Sequence, residues 1–173
     1  MGAKIKPPRK IIKRIIAGVS LFSLGRAFQT ASVLDETIKQ DIADWPEGYT
    51  VVMKVMPHGP LMAVIKTGDR LKYAGGKDRP ADLNVMFKNL EGALLVLTAR
   101  QGTPQAYAEH RISVKGDLGR AMALTRCLNI TQAYLFPKLI CKRIMKQVPK
   151  IPLTKLLRIR AIIFASGVPF GRP

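Results

Sequence analysis

Between residues 49 and 87 the apolar side chains keep a period of two, and a turn closes each run. Tyr49, Val51, Met53 and Val55 share one side of residues 49–56, and Pro57-His58-Gly59-Pro60 then turns the chain. Leu61, Ala63 and Ile65 share one side of residues 61–67, and Gly68-Asp69 has the composition of a two-residue hairpin. Leu71 and Tyr73 point inward from residues 70–74, residues 75–80 form a loop, and Leu83, Val85 and Phe87 align within residues 82–87. Four such segments joined by short polar turns predict strands paired as hairpins.

The period then lengthens. Asn89 is placed to cap a helix running to about Arg100, with Leu90, Ala93, Leu94 and Leu97 on one stripe. A short helix follows from Pro104 to about His110, then a fifth strand over residues 112–115. Asp117 is placed to cap a helix over residues 118–136, with Leu118, Ala121, Met122, Thr125 and Leu128 on a stripe. Ahead of the strands, residues 31–43 read as a helix with Leu34, Ile38 and Ile42 at four-residue spacing. Helix, four strands, two helices, a strand and a helix make an α+β fold: a five-stranded antiparallel sheet covered on one face by helices.

The chain has 173 residues, enough for one core, and its 47% apolar content is too high for a disordered chain. Two cysteines and two histidines exclude a disulfide scaffold and argue against a structural zinc cluster. The net charge is +18, and its placement matters more than its size. Residues 1–30 hold seven bases and no acid, residues 137–173 nine bases and no acid, and residues 31–136 net only +2. The expected organisation is a nearly neutral domain, 31–136, between two cationic segments, 1–30 and 137–173.

Both segments read as basic amphipathic helices. Lys10, Lys13 and Arg14 lie opposite Ile12, Ile15, Ile16, Val19 and Phe22; Lys138, Lys142, Arg143 and Lys146 lie opposite Ile140, Ile144, Met145 and Val148. Such helices lie in the plane of an anionic membrane surface, where each base contributes about 1 kcal/mol. The plainer reading is a solvated basic face over a helix packed on the domain. Nucleic acid is disfavoured, because stacking aromatics and a recognisable binding module are missing. The uncharged runs at 15–25 and 161–171 are 11 residues each, against the roughly 20 that a spanning helix needs. Gly25-Arg26-Ala27 has the small-x-small form of a signal cleavage site. Arg26 within it favours a retained helix, hence a cytoplasmic protein peripheral on the inner membrane face, over secretion.

Catalytic signatures are missing: no GxSxG, HExxH, GxGxxG or P-loop joins the two histidines or the two cysteines. Gly75-Gly76-Lys77 opens no helix and reads as a plain loop. Asp69, Asp78 and Asp82 read as solvated loop acids rather than a metal site. Asn129-Ile130-Thr131 matches a glycosylation sequon inside a predicted helix. The expectation is a binding protein without cofactor or metal, not an enzyme. The apolar excess is the stronger signal. Residues 90–99 and 118–136 are apolar on more than one side, so each helix needs an apolar neighbour on both. One neighbour is the sheet; the other is a bound acyl or isoprenoid chain, or the terminal helices.

Residues 81–87 (ADLNVMF), Glu91-Gly92-Ala93-Leu94 and residues 111–124 (RISVKGDLGRAMAL) resemble, in order and spacing, the sterol carrier protein type 2 superfamily. The resemblance covers about residues 45–136 and is nearest to the bacterial ubiquinone-biosynthesis accessory factors of that superfamily. It implies a five-stranded sheet and helices around an apolar tunnel that accepts a lipid. Under it, Phe87, Leu94, Leu97, Met122, Leu128 and Leu135 line the tunnel and no residue is catalytic. The implied function is lipid binding or transfer at an anionic membrane, the ligand being a phospholipid acyl chain, a sterol-like lipid or a quinone precursor. The alternative is a non-catalytic accessory or scaffold subunit of a membrane-associated biosynthetic complex.

Overall fold

The computed structural model describes residues 11–136 together with Cys141, Thr154, Leu157, Ala161 and Ile162. The elements are α1 (Ile11–Leu34), α2 (Glu36–Ala43), β1 (Thr50–Val55), β2 (Leu61–Thr67), β3 (Arg70–Tyr73), β4 (Leu83–Phe87), α3 (Leu90–Leu97), α4 (Thr103–Ala108), β5 (Ile112–Lys115) and α5 (Leu118–Leu135). The predicted caps form. Asn89 Oδ1 accepts from the Gly92 amide at 2.7 Å, and Asp117 Oδ1 from the Arg120 amide at 2.8 Å. Each satisfies an amide that the first helical turn leaves without a partner.

The strand order is β3-β2-β1-β4-β5. β1 pairs antiparallel with β2, β2 with β3 and β4 with β5, but β1 and β4 run parallel, Val51 beside Leu83 and Val55 beside Phe87. The sheet is therefore mixed, which corrects the fully antiparallel expectation. The reason is the connection after β3. Hairpin logic extends a meander outward, whereas residues 74–82 return the chain to the free edge of β1, and a parallel pair needs such a crossover. Lys54, on the side of β1 away from Met53, reaches Asp78 of this connection at 3.8 Å.

The first two helices also differ from expectation. Residues 11–34 form one continuous helix, so the expected boundary after residue 30 falls inside α1. The break comes at Asp35, which caps α2 by accepting from the Thr37 amide and also accepts from the Tyr134 hydroxyl. Pairing sets which face of β2 is inward: Met53 sits opposite Met62 and Val51 opposite Val64, so Met62 and Val64 join the core. Leu61 and Ile65, read from the sequence as one side with Ala63, are only partly buried.

One contiguous apolar core joins this sheet face to α1, α2, α3 and α5. α1 crosses the sheet so closely at Gly25 that any side chain there would have to displace its neighbours. A Cβ there would lie 2.5 Å from the Tyr73 ring and 3.1 Å from the Met62 sulfur. Gly116, at φ +136°, adopts a backbone that L side chains rarely take, against the Asp82 carbonyl.

Candidate functional site

The six residues expected to line an apolar interior do not all meet there. Phe87 is fully buried at the end of β4, and Leu97 and Leu128 are buried on α3 and α5. Leu94 and Leu135 are partly buried and pack against the same core. Met122 stands apart at 60% exposure, beside an equally outward Leu118. The stripe of α5 that faces the core is Ala121, Leu124 and Leu128, turned by about one residue from the stripe read in the sequence. Leu124, which the stripe read in the sequence leaves out, is buried in the core. Its four-residue spacing to Leu128 was the available signal.

The polar groups around this core hold the helices together. Tyr134, fully buried on α5, donates to Asp35 at the α1–α2 junction. Burial, reinforced by the hydrogen bond to Asp35 and its negative charge, holds the Tyr134 phenol well above its ordinary pKa. Lys66, also buried, donates to the Trp45 carbonyl at 2.8 Å and so closes the end of α2. Arg126 binds Asp41 through two nitrogens at 2.9 and 2.6 Å, tying α5 to α2. Cys127 is buried, and burial pushes its thiol up to about 12; at neutral pH it is a protonated packing group. No three His, Cys, Asp or Glu side chains cluster in metal-binding geometry among the described residues. Asp82 instead accepts from the Thr50 amide at 2.8 Å.

The fold resembles sterol carrier protein 2. The sequence matches no family model and no curated protein; the likeness is to solved structures. A protein titled UbiJ-SCP2 ubiquinone synthesis protein aligns at 16% identity and TM-score 0.44, over 68% of this chain and 95% of that one. Sterol carrier protein domain 2 of Helicoverpa armigera aligns at 16% identity and TM-score 0.43, over 74% and 93%. The apo form of sterol carrier protein 2 from Yarrowia lipolytica aligns at 16% identity and TM-score 0.39, over 68% and 88%.

The bases expected at a membrane surface are placed differently from the amphipathic picture. Lys10, Lys138, Lys142, Arg143 and Lys146 lie outside the described residues. Lys13 pairs with Glu91 of α3 at 3.1 Å, and Arg14 donates to the His58 carbonyl in the β1–β2 turn. Both bases therefore face the body of the protein. The opposite, outward face carries Ile11, Ile12, Ile15, Ile16, Val19 and Phe22, exposed by 43 to 73%. The sequence periodicity sorted apolar from basic correctly, and the fold turns the apolar side out. No helix among the described residues is long and apolar enough to cross a membrane.

Proposed function

We propose that this protein is a lipid carrier that works from the surface of an anionic membrane, holding an apolar chain between its sheet and its helices. The observation that carries this reading is α1. Its inner side contributes Leu21, Leu24 and Phe28 to the core, while its outer side exposes the six large apolar residues from Ile11 to Phe22. A helix that is apolar on both sides requires apolar surroundings on both. A contiguous exposed patch of this kind marks an interaction surface. The charge of the chain supports an anionic membrane as the occupant: besides the inward-held Lys13 and Arg14, residues 1–30 and 137–173 carry 14 bases and no acid, a complement to anionic headgroups. The apolar stripe then lies at the level of the upper acyl chains, and the basic ends hold the headgroups.

Within the body, burial of apolar surface contributes about 25 cal/mol per Å2, so a long chain is retained without a dedicated polar socket. In this reading such a chain contacts the helices at Leu94 and Leu135, which are partly buried and pack against the core. Purified protein is expected to retain lipid in native mass spectrometry and to co-sediment with phosphatidylglycerol vesicles. Empty protein that stays in the supernatant contradicts the proposal. Recovery of a stoichiometric protein partner over the α1 stripe, with no lipid, identifies a scaffold subunit instead.

A further inference from the structure

Thr131 is fully buried on α5, and among the described residues its hydroxyl has no hydrogen-bond partner. Threonine in a helix has an easy remedy, since Oγ1 reaches back to the carbonyl four residues earlier. The described helices use it elsewhere: Thr98 donates to the Leu94 carbonyl at 2.6 Å and Thr125 to the Ala121 carbonyl at 2.9 Å. Thr131 makes no such bond. A buried hydroxyl without a partner is destabilising, and valine would fill the same volume without that cost.

Its position on the helix says where the hydroxyl belongs. Leu124, Leu128, Thr131 and Leu135 follow at spacings of four, three and four, which sets them on one side of α5. That is the core-facing stripe, with Leu124 and Leu128 buried in the core and Leu135 packed against it. Thr131 is the polar member of an otherwise apolar row. Its burial also removes the Asn129-Ile130-Thr131 sequon from consideration as a glycosylation site in the folded protein.

We propose that Thr131 is the polar contact of the bound lipid, its hydroxyl donating a hydrogen bond to a carbonyl or hydroxyl oxygen at the enclosed end of the ligand. This rests on the lipid-carrier reading and narrows it: the ligand is an oxygen-bearing lipid, entering oxygen first, rather than a plain hydrocarbon tail. A bare chain would leave the hydroxyl unpaired.

The test uses the full chain stripped of lipid and two probes of one skeleton, dodecyl phenyl ketone and tridecylbenzene, which differ by a carbonyl in place of a methylene. Wild-type protein is expected to prefer the ketone by about fivefold, the effect of one buried hydrogen bond. Thr131→Val is expected to abolish that preference by weakening ketone binding alone, and Thr131→Ser to keep it. The melting temperature of empty Thr131→Val is expected to stay level or rise. A ketone preference that survives Thr131→Val overturns the assignment while leaving the carrier reading intact. A fall in the melting temperature of empty Thr131→Val, with both probes weakened equally, shows a structural hydroxyl and also overturns it. Failure of wild-type protein to bind either probe contradicts the carrier reading and this assignment together.

Discussion

The two halves of α1 are built on opposite rules. From Leu24 to Ser32 the helix is fitted to the sheet. Gly25 admits the Tyr73 ring, Ala27, Phe28 and Ala31 are fully buried, and the Ser32 hydroxyl accepts from the Leu71 amide at 2.9 Å. From Ile11 to Phe22 the inner edge, Ala17 and Leu21, is buried, Phe22 is half-exposed with its ring edge-on to Tyr73, and two tethers, Lys13 to Glu91 and Arg14 to the His58 carbonyl, hold the bases inward. The first half is specified by its contacts within the chain. The second presents isoleucines to its surroundings at a place where a soluble domain would carry lysine and glutamate. The contrast assigns stability to one half and, under the proposed function, attachment to the other.

Substitutions should separate these roles. Gly25→Val forces a side chain into the Tyr73 ring, and overpacking of this kind costs about 1–3 kcal/mol. Thermal denaturation is expected to show the largest loss of stability in this set, and an unchanged melting temperature would show that α1 is not closely seated. Ile12→Asp with Ile16→Asp should leave the melting temperature nearly untouched while weakening binding to phosphatidylglycerol vesicles by more than tenfold, about 1.4 kcal/mol. Equal loss of stability and binding would erase the distinction between the halves. Glu91→Gln removes one member of a half-exposed ion pair, and less than about 1 kcal/mol is expected. Its informative readout is vesicle binding: with the Lys13 tether weakened the stripe is less well oriented, so affinity should drop slightly, and a gain would mean that the tether works against docking.

Local chemistry made much of the body legible. Period-two runs located β1 to β4, Gly68-Asp69 forms the turn between β2 and β3, and Asn89 and Asp117 cap the helices they precede. What escaped was decided at long range. The parallel β1–β4 pair depends on where the chain returns after β3, which no local pattern encodes. The inward face of β2 depends on its register with β1, because Leu61, Ala63 and Ile65 are as apolar as Met62 and Val64. The turn of α5 that leaves Met122 outside and Leu124 inside has the same cause: on a helix apolar nearly all round, composition cannot choose the buried side. Lys13 and Arg14 belong to this group too. Their separation from the isoleucines was readable, but which side meets the body was set by Glu91 and the His58 carbonyl, 78 and 44 residues away.

The most direct measurement places an environment-sensitive fluorophore at Val19, on the outward stripe, and at Asp69, in the β2–β3 turn, and adds phosphatidylglycerol vesicles carrying brominated acyl chains. The account predicts a blue shift and strong bromine quenching at position 19 with little change at position 69. Water-like emission from both positions on vesicle-bound protein would contradict it.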